Sequence, residues 1–404
     1  MLSWEYPPNM VGGLGRHVDE LSRALVAAGH EVRVVTHGTL DPSGLSDRGL
    51  TDGVRNGVIV HRAEQDPVNI SFATETLLSW SQANEHSLTR TALRALGEWR
   101  PDVVHAHDWL VAQTAMTLSR TAALPLVATI HATEAGRNMG WLATELNRGI
   151  HSIERWLVHE ADRVIVCSEF MREELKQTFD VGGTRLDVVG NGIDPAPWGR
   201  DDKEAAAVRE RLGLETDTPL LVYAGRLVHA KGVHTLLEAM PALREMYPGL
   251  RLVIAGTGPY EADLREFAAP CADAVEWVGF LSDAEVATYL WAADVAIVPS
   301  LYEPFGLIAL EAAAAGTPLA VADTGGLRDI VDDGRTGLRF IPDSAEQLAK
   351  AVHRLLEDPV QARDMAAIAL AEIDAHTWDT VASQTAAVYS AAVFDATNEP
   401  SVGS

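Results

Sequence analysis

Two carboxylates stand eight residues apart in "EPFGLIALE", at Glu303 and Glu311. Carboxylates accept hydrogen bonds, so such a pair suits the hydroxyls of a ribose or a hexose. Pro304 fits an early helical position and sets Glu303 at a helix mouth. Glu311 lies between Leu310 and Ala312–Ala315, where a carboxylate without a partner is costly. The plainer alternative is a helix-terminal charge at Glu303 and a solvated Glu311.

A second group carries positive charge. In "YAGRLVHAKG" a strand ends at Ala224, and Arg226 and Lys231 follow in a short loop ahead of a helix. Open α/β sheets bind ligands at the carboxyl ends of their strands. Arg brings a planar fork and Lys a mobile point charge, which together suit a diphosphate. Two solvated surface cations are the alternative.

The glycine cluster "GGLGRHV" opens a helix directly after the first strand. Backbone N–H groups there can approach an anion, and a helix N-terminus favours negative charge. The dinucleotide fingerprint needs a small residue three positions after the second glycine, and Val18 stands there. Thr36 and His37 replace the acidic residue expected at the end of the second strand. No Walker A loop occurs either. The cluster reads equally as an anion site or as a tight turn.

"HAHDWL" (105–110) and "TIHATEAGR" (129–137) both follow strands, so His107, Asp108, His131 and Glu134 should gather near the glycine cluster. A metal site can be drawn from them. No H-x-x-x-H helix or D-x-D pair accompanies them, so no metal is expected. Orientation of His by Asp, and binding of sugar hydroxyls, is the preferred reading.

The elements that must hold these residues are legible as apolar runs. Strands are expected at Leu2–Trp4, Glu31–Thr36, Val58–Arg62, Asp102–Ala106, Leu126–Ile130, Arg163–Cys167 and Leu186–Val189. A second set is expected at Leu220–Ala224, Leu250–Ala255, Val275–Val278, Val295–Val298, Leu319–Val321 and Leu338–Ile341. Continuous apolar runs mark parallel strands buried on both faces. Helical periodicity lies between them, as in Val18, Leu21, Leu25 and Ala28 before Gly29, and in Leu142, Leu146, Ile150, Ile153 and Leu157. Such alternation predicts doubly wound α/β domains. Residues 1–195 form one, 196–218 a linker with a short helix, 219–375 the other, and 376–394 a C-terminal helix. Leu2–Trp4 is short for a central strand, so either that strand is short or its natural start lies upstream.

Composition narrows the partners. The net charge of −25, from 32 basic and 57 acidic residues among 404, disfavours nucleic acid and anionic membrane. No apolar run reaches transmembrane length, and no signal peptide is expected. Cys167 and Cys271 are isolated, which suits a reducing compartment and hence a cytoplasmic location.

Together these motifs resemble the retaining nucleotide-sugar glycosyltransferases of family 4 and their glycogen synthase relatives. "GGLG", "HAHDW", "NGID" (191–194), "GRLVHAKG", "EPFGLIALE" and "TGGL" (324–327) occur in the family's order, over nearly the whole chain. "SWEYPP" with "HATEAGR" looks closest to actinobacterial α-1,4-glucosyltransferases of glycogen and methylglucose-polysaccharide synthesis. The resemblance implies a GT-B fold, two Rossmann-like domains facing a cleft. The C-terminal domain would hold the nucleotide sugar and the N-terminal one the acceptor, with the last helix crossing back to the first domain.

By the same resemblance, Arg226 and Lys231 grip the diphosphate, Glu303 the sugar hydroxyls and Glu311 the ribose. Phe305, Gly306 and Leu307 offer backbone groups. Gly13 and Gly15 line the donor side, and His131 lies near the sugar's reacting face. Asp108 and Asn191 are further candidates for the sugar or acceptor pocket. The implied reaction moves glucose from ADP- or UDP-glucose to an α-1,4-glucan or maltooligosaccharide, with retention, no cofactor and no metal. A sugar-nucleotide epimerase of the same fold is the main alternative. A family 4 transferase using mannose or a small acceptor is another; a glycosidase and a non-catalytic sugar-nucleotide sensor fit less well.

Overall fold

The computed structural model describes residues 1–10, 12–38, 52–64, 70, 72–215 and 217–398, apart from the Glu98 side chain. The chain forms two compact units. Met1–Gly192 and the segment from Trp378 make the first; Ile193–Thr377 makes the second.

In the first unit the strands are β1 (Arg33–His37), β2 (Gly53–Arg55), β3 (Val58–Ala63), β4 (Val104–His107), β5 (Leu126–Ile130), β6 (Arg163–Val166) and β7 (Leu186–Val188). They run in the orders β1-β3-β2 and β4-β5-β6-β7. Leu2 joins the two groups by parallel bridges to Val35 and Ala106. Its N–H donates to the His105 carbonyl at 2.8 Å, and its own carbonyl accepts from His107 N–H at 3.0 Å. The expected strand Leu2–Trp4 is thus reduced to one bridged residue, because the chain turns away into the Tyr6–Asn9 turn. All pairings are parallel except β2 with β3. That hairpin was not expected. Its turn residues Asn56 and Gly57 have φ of 49° and 84°, as a tight two-residue hairpin turn requires.

The helix Gly13–Ala27 buries Val18, Leu21 and Leu25 against Val34 and Val60. The helix expected from Leu142 begins instead at Glu145. Thr144 caps it by accepting from Asn147 N–H at 3.1 Å, which leaves Leu142 outside. The C-terminal helix, Trp378–Asn398, packs Val381, Ala382, Val388 and Ala392 into the core that holds Val18 and Leu21.

The second unit has β8 (Leu220–Ala224), β9 (Arg251–Ala255), β10 (Val275–Gly279), β11 (Val295–Val298), β12 (Leu319–Ala322) and β13 (Leu338–Phe340). All are parallel, in the order β10-β9-β8-β11-β12-β13. The order reverses between β8 and β11, and at such a switch point the loops diverge to leave a crevice. The first unit has its own reversal at Leu2, between β1 and β4.

Residues 196–218, expected as a linker, are packed into the second unit. Trp198 is fully buried and its carbonyl accepts the Trp291 indole N–H at 2.8 Å. Arg209, on the helix Asp202–Arg211, donates to the Ala292 carbonyl at 2.9 Å. Proline and charge marked this stretch as a linker, but Trp198 and Arg209 tie it to the second unit.

Candidate active site

Each unit gathers its chemistry at the carboxyl ends of its strands. In the second unit, β8 ends at Ala224 and the chain turns through Gly225, at a φ of 158°. Arg226 follows, exposed, its carbonyl held by the Tyr223 hydroxyl at 2.9 Å. Among the described residues Arg226 makes no ion pair. Lys231 closes a short turn, His229–Lys231, and Gly232 opens the helix Val233–Met246. Gly232 sits at a φ of 63°, and a Cβ there would overlap the Pro299 carbonyl. The loop after β8 therefore lies directly against the loop after β11. Leu301 N–H donates to the Ala230 carbonyl at 2.8 Å across the same contact.

This contact joins the two charged motifs. Lys231 Nζ donates to Glu303 Oε2 at 2.6 Å, and Ser300 Oγ donates to the same oxygen at 2.9 Å. Glu303 is only 7% exposed. Its backbone carbonyl accepts from Gly326 N–H at 2.9 Å, in the "TGGL" loop after β12. A Cβ on Gly325 would collide with that carbonyl, so only glycine lets the loops approach.

The helix after Glu303 starts later than Pro304 suggests. It spans Leu307–Ala314, because Gly306 takes a φ of 110° and ends the loop. Pro304 thus lies in the loop rather than in the first helical turn. Phe305 is buried, and Leu307 begins the helix with no side-chain cap on it. Glu311 sits one turn further on, 8% exposed and engaged by an interaction within the protein.

The first unit is arranged differently. The glycine cluster already holds an anion. Glu5, 2% exposed, accepts from Gly12 N–H at 3.1 Å and from Gly15 N–H at 3.0 Å. A Cβ on Gly15 would press on the Glu5 side chain at 3.1 Å. Gly15 therefore serves an internal carboxylate, while Gly13 is exposed. Glu5 was not singled out in the sequence. An acid just past a central strand and just before a glycine-opened helix was the available signal.

His107 on β4 and His131 after β5 meet at 3.2 Å, Nδ1 to Nε2. His17, from the helix Gly13–Ala27, packs on His131 with ring centroids 4.6 Å apart. Asn191 Oδ1 accepts from His17 Nδ1 at 2.8 Å. His105 is held by Tyr389 and Thr129, each at 2.7 Å. Burial pushes His131 down to about 3, and pushes His17 and His107 well below the ordinary histidine range. All are neutral near pH 7.

Asp108 Oδ1 accepts the His131 backbone N–H at 2.8 Å. Asp108 has a φ of 60° and a ψ of −179°, a conformation that costs a non-glycine residue energy. Burial raises its carboxyl to about 6 against the opposing pull of Arg137, 3.9 Å away. Glu134 contributes its N–H to both oxygens of Glu154. His17, Arg137 and Glu154 join this group from helices, and nothing in their local sequence marks them.

Two doubly wound units of this kind define a class, the GT-B glycosyltransferases. Residues 204–371 match the family model for group 1 glycosyl transferases, and residues 11–197 match that for glycosyltransferase family 4. The chain belongs to this glycosyltransferase family and has its GT-B fold. It is 45% identical over 402 residues to a glycogen synthase of Mycobacterium tuberculosis, covering 97% of this chain and 94% of that protein. It is 31% identical to the alpha-maltose-1-phosphate synthase of Mycolicibacterium smegmatis, covering 96% and 98%. Among solved structures, a sucrose-phosphate synthase from Thermosynechococcus elongatus matches with a TM-score of 0.78 and 26% identity, over 94% of both chains. Among the described residues, no helix is long and apolar enough to cross a membrane.

Proposed function

We propose that this protein is a retaining glucosyltransferase that moves glucose from ADP- or UDP-glucose to the non-reducing end of an α-1,4-glucan. The observation that carries this reading is the Lys231–Glu303 pair, 2.6 Å apart, where the loops after β8 and β11 meet. It sets a cation and a hydroxyl-binding carboxylate side by side at the switch point, as a sugar diphosphate requires. The glycogen synthase relative supports the choice of sugar and acceptor.

In this reading Arg226 and Lys231 bind the diphosphate, and Gly306 and Leu307 present backbone N–H groups at a helix N-terminus. Glu303 accepts from the glucose hydroxyls and Glu311 from the ribose. When the bond from C1 to the diphosphate breaks, its electron pair goes to the phosphate oxygen. The cations stabilise that charge, which is the role a metal fills in other transferases. The acceptor hydroxyl bonds to C1 on the face the phosphate leaves, and its proton passes to the phosphate. His131 is neutral and serves as a hydrogen-bonding group near the sugar, with Asp108 fixing its backbone. No cofactor and no metal take part. Trp141, 74% exposed on the loop after His131, offers a flat apolar face to a sugar ring of the acceptor. Free Cys167 and Cys271 fit a cytoplasmic location.

The test is a matrix of ADP-glucose, UDP-glucose and a nucleotide mannose against maltooligosaccharides, maltose 1-phosphate and simple sugars. Nucleotide release that depends on a maltooligosaccharide, with a product one hexose heavier, is expected, and EDTA should leave the rate unchanged. Conversion of the donor to an isomer without acceptor would establish the epimerase alternative instead.

A further inference from the structure

Three histidines from three separate elements converge in the first unit. His17 comes from the helix Gly13–Ala27, His107 from β4, and His131 from the loop after β5. Each offers one ring nitrogen, and those nitrogens all lie within 4.8 Å of one another. His107 Nδ1 and His131 Nε2 are 3.2 Å apart. Two nitrogens bound at about 2.0–2.1 Å to a tetrahedral zinc ion stand about 3.3–3.4 Å from each other. One edge of such a site is therefore already at its working length.

The second coordination layer fits as well. Asn191 Oδ1 can only accept, so His17 Nδ1 must carry the proton and His17 Nε2 the lone pair. Metal-binding histidines are held in this manner, with the outer nitrogen donating to a fixed oxygen. His107 is fully buried with its Nδ1 turned toward His131; its Nε2, on the far side of the ring, has no hydrogen-bond partner among the described residues and stays unpaired whether or not Nδ1 binds a metal. His105, the fourth ring nearby, has both nitrogens engaged and is not available.

We propose that His17, His107 and His131 form a binding site for a borderline transition-metal dication, Zn²⁺, Co²⁺ or Ni²⁺, with three imidazole ligands and one open position. The site is not a catalytic requirement, because the cations of the second unit carry the leaving-group charge. It is an inhibitory one. Metal on His131 Nε2 fixes the proton on Nδ1, so the ring can donate to a sugar hydroxyl but no longer accept from one, a consequence that rests on the proposed glucosyl transfer; the binding itself does not.

The experiment is a titration of the metal-free full-length protein with Co²⁺, followed by visible absorption. The intense bands of four-coordinate Co²⁺ are expected to saturate at one equivalent and to be displaced by Zn²⁺. His17→Asn should abolish them, and His353→Asn, at an unrelated histidine, should leave them intact. Asn191→Ala should weaken the affinity about 10-fold through loss of the outer contact. X-ray absorption on the zinc-loaded parent protein gives a reading that needs no variant, with three imidazoles and one oxygen expected. Weak six-coordinate Co²⁺ bands, bands unchanged in a folded His17→Asn variant, or fewer than three imidazoles on zinc would overturn the proposal. In the transfer assay, one equivalent of Zn²⁺ should slow the parent and spare His17→Asn. Cobalt binding without glucosyl transfer would fault the functional reading alone; transfer without cobalt binding would fault this site alone.

Discussion

The two units solve opposite electrostatic problems with the same architecture. In the second, two cations stand at or near the surface beside the buried Glu303. Arg226 is exposed and Lys231 is partly so, and their loops are held by glycines at positive φ. In the first, the three clustered histidines are neutral. His17, His107 and His131 are stripped of charge by burial, and Asp108 is raised to about 6. A leaving diphosphate needs full charges that it can reach. A neutral sugar needs directed hydrogen bonds, and these are stronger away from water. The two units thus offer different chemistry at the carboxyl ends of their strands, reachable charge in one and neutral hydrogen-bonding groups in the other.

The sharpest way to break that comparison is to remove the charges. Arg226→Ala and Lys231→Ala should each lower kcat by about 10²–10³-fold, the range seen when a group that meets developing charge is lost. The two should differ in stability. Arg226 has no ion pair among the described residues, so its loss should shift stability by about 0.5 kcal/mol or less. Loss of Lys231 leaves Glu303 buried with only Ser300 on that oxygen, so Tm should fall as well. Near-normal turnover in both variants would end the assignment of this half-site.

The next effect lies in the first unit and acts through the backbone. Asp108→Ala removes the acceptor for His131 N–H but keeps a side chain at a φ of 60°. Asp108→Gly removes the acceptor and the strain together, so it should be more stable than Asp108→Ala by about 1–3 kcal/mol. Both should be slow, by about 10-fold or more, if positioning of His131 matters. Equal stability of the two would show that the backbone is unstrained.

A smaller effect is expected at the rim. Trp141→Ala should raise the KM for a maltooligosaccharide about 3–10-fold, since a stacked ring contributes about 1 kcal/mol. The KM for the donor and kcat should not change. A shift in the donor KM instead would place Trp141 on the wrong half of the substrate.

The strands were legible because burial on both faces leaves little but apolar residues. Leu126–Ile130, Leu220–Ala224 and Val295–Val298 were read to the residue. β2 was missed because all three of its residues are exposed, so no pattern of burial marks it. Residues 196–218 misled because charge hid the anchoring Trp198. Arg226, Lys231 and Glu303 were legible as motifs, since each follows a strand whose end can be found. His17 and Glu5 were not. His17 meets Asn191 across 174 residues of chain, and Glu5 faces inward to cap a helix. Contacts of that kind exist only after the sheet has formed.

The finest test of the contrast is the pH dependence of Glu154. Its carboxylate is 1% exposed, accepts the Glu134 N–H at 2.9 and 3.0 Å, and lies 3.9 Å from Arg137. Burial raises it to about 8 from an ordinary value of 4.5, against the pull of that hydrogen bond and of Arg137. A group whose folded value lies above its unfolded one holds its proton more tightly when folded. Its stabilising contribution is complete below the unfolded value and is lost as pH rises through the folded value. Glu154→Gln cannot titrate, yet its side-chain oxygen can still accept from Glu134 N–H. The difference in urea midpoint, parent minus variant, should therefore fall between about pH 5 and about pH 9. A rising difference would mean that Arg137 outweighs burial. The first unit would then be a charged site like the second, and the contrast between them would fail at its most buried point.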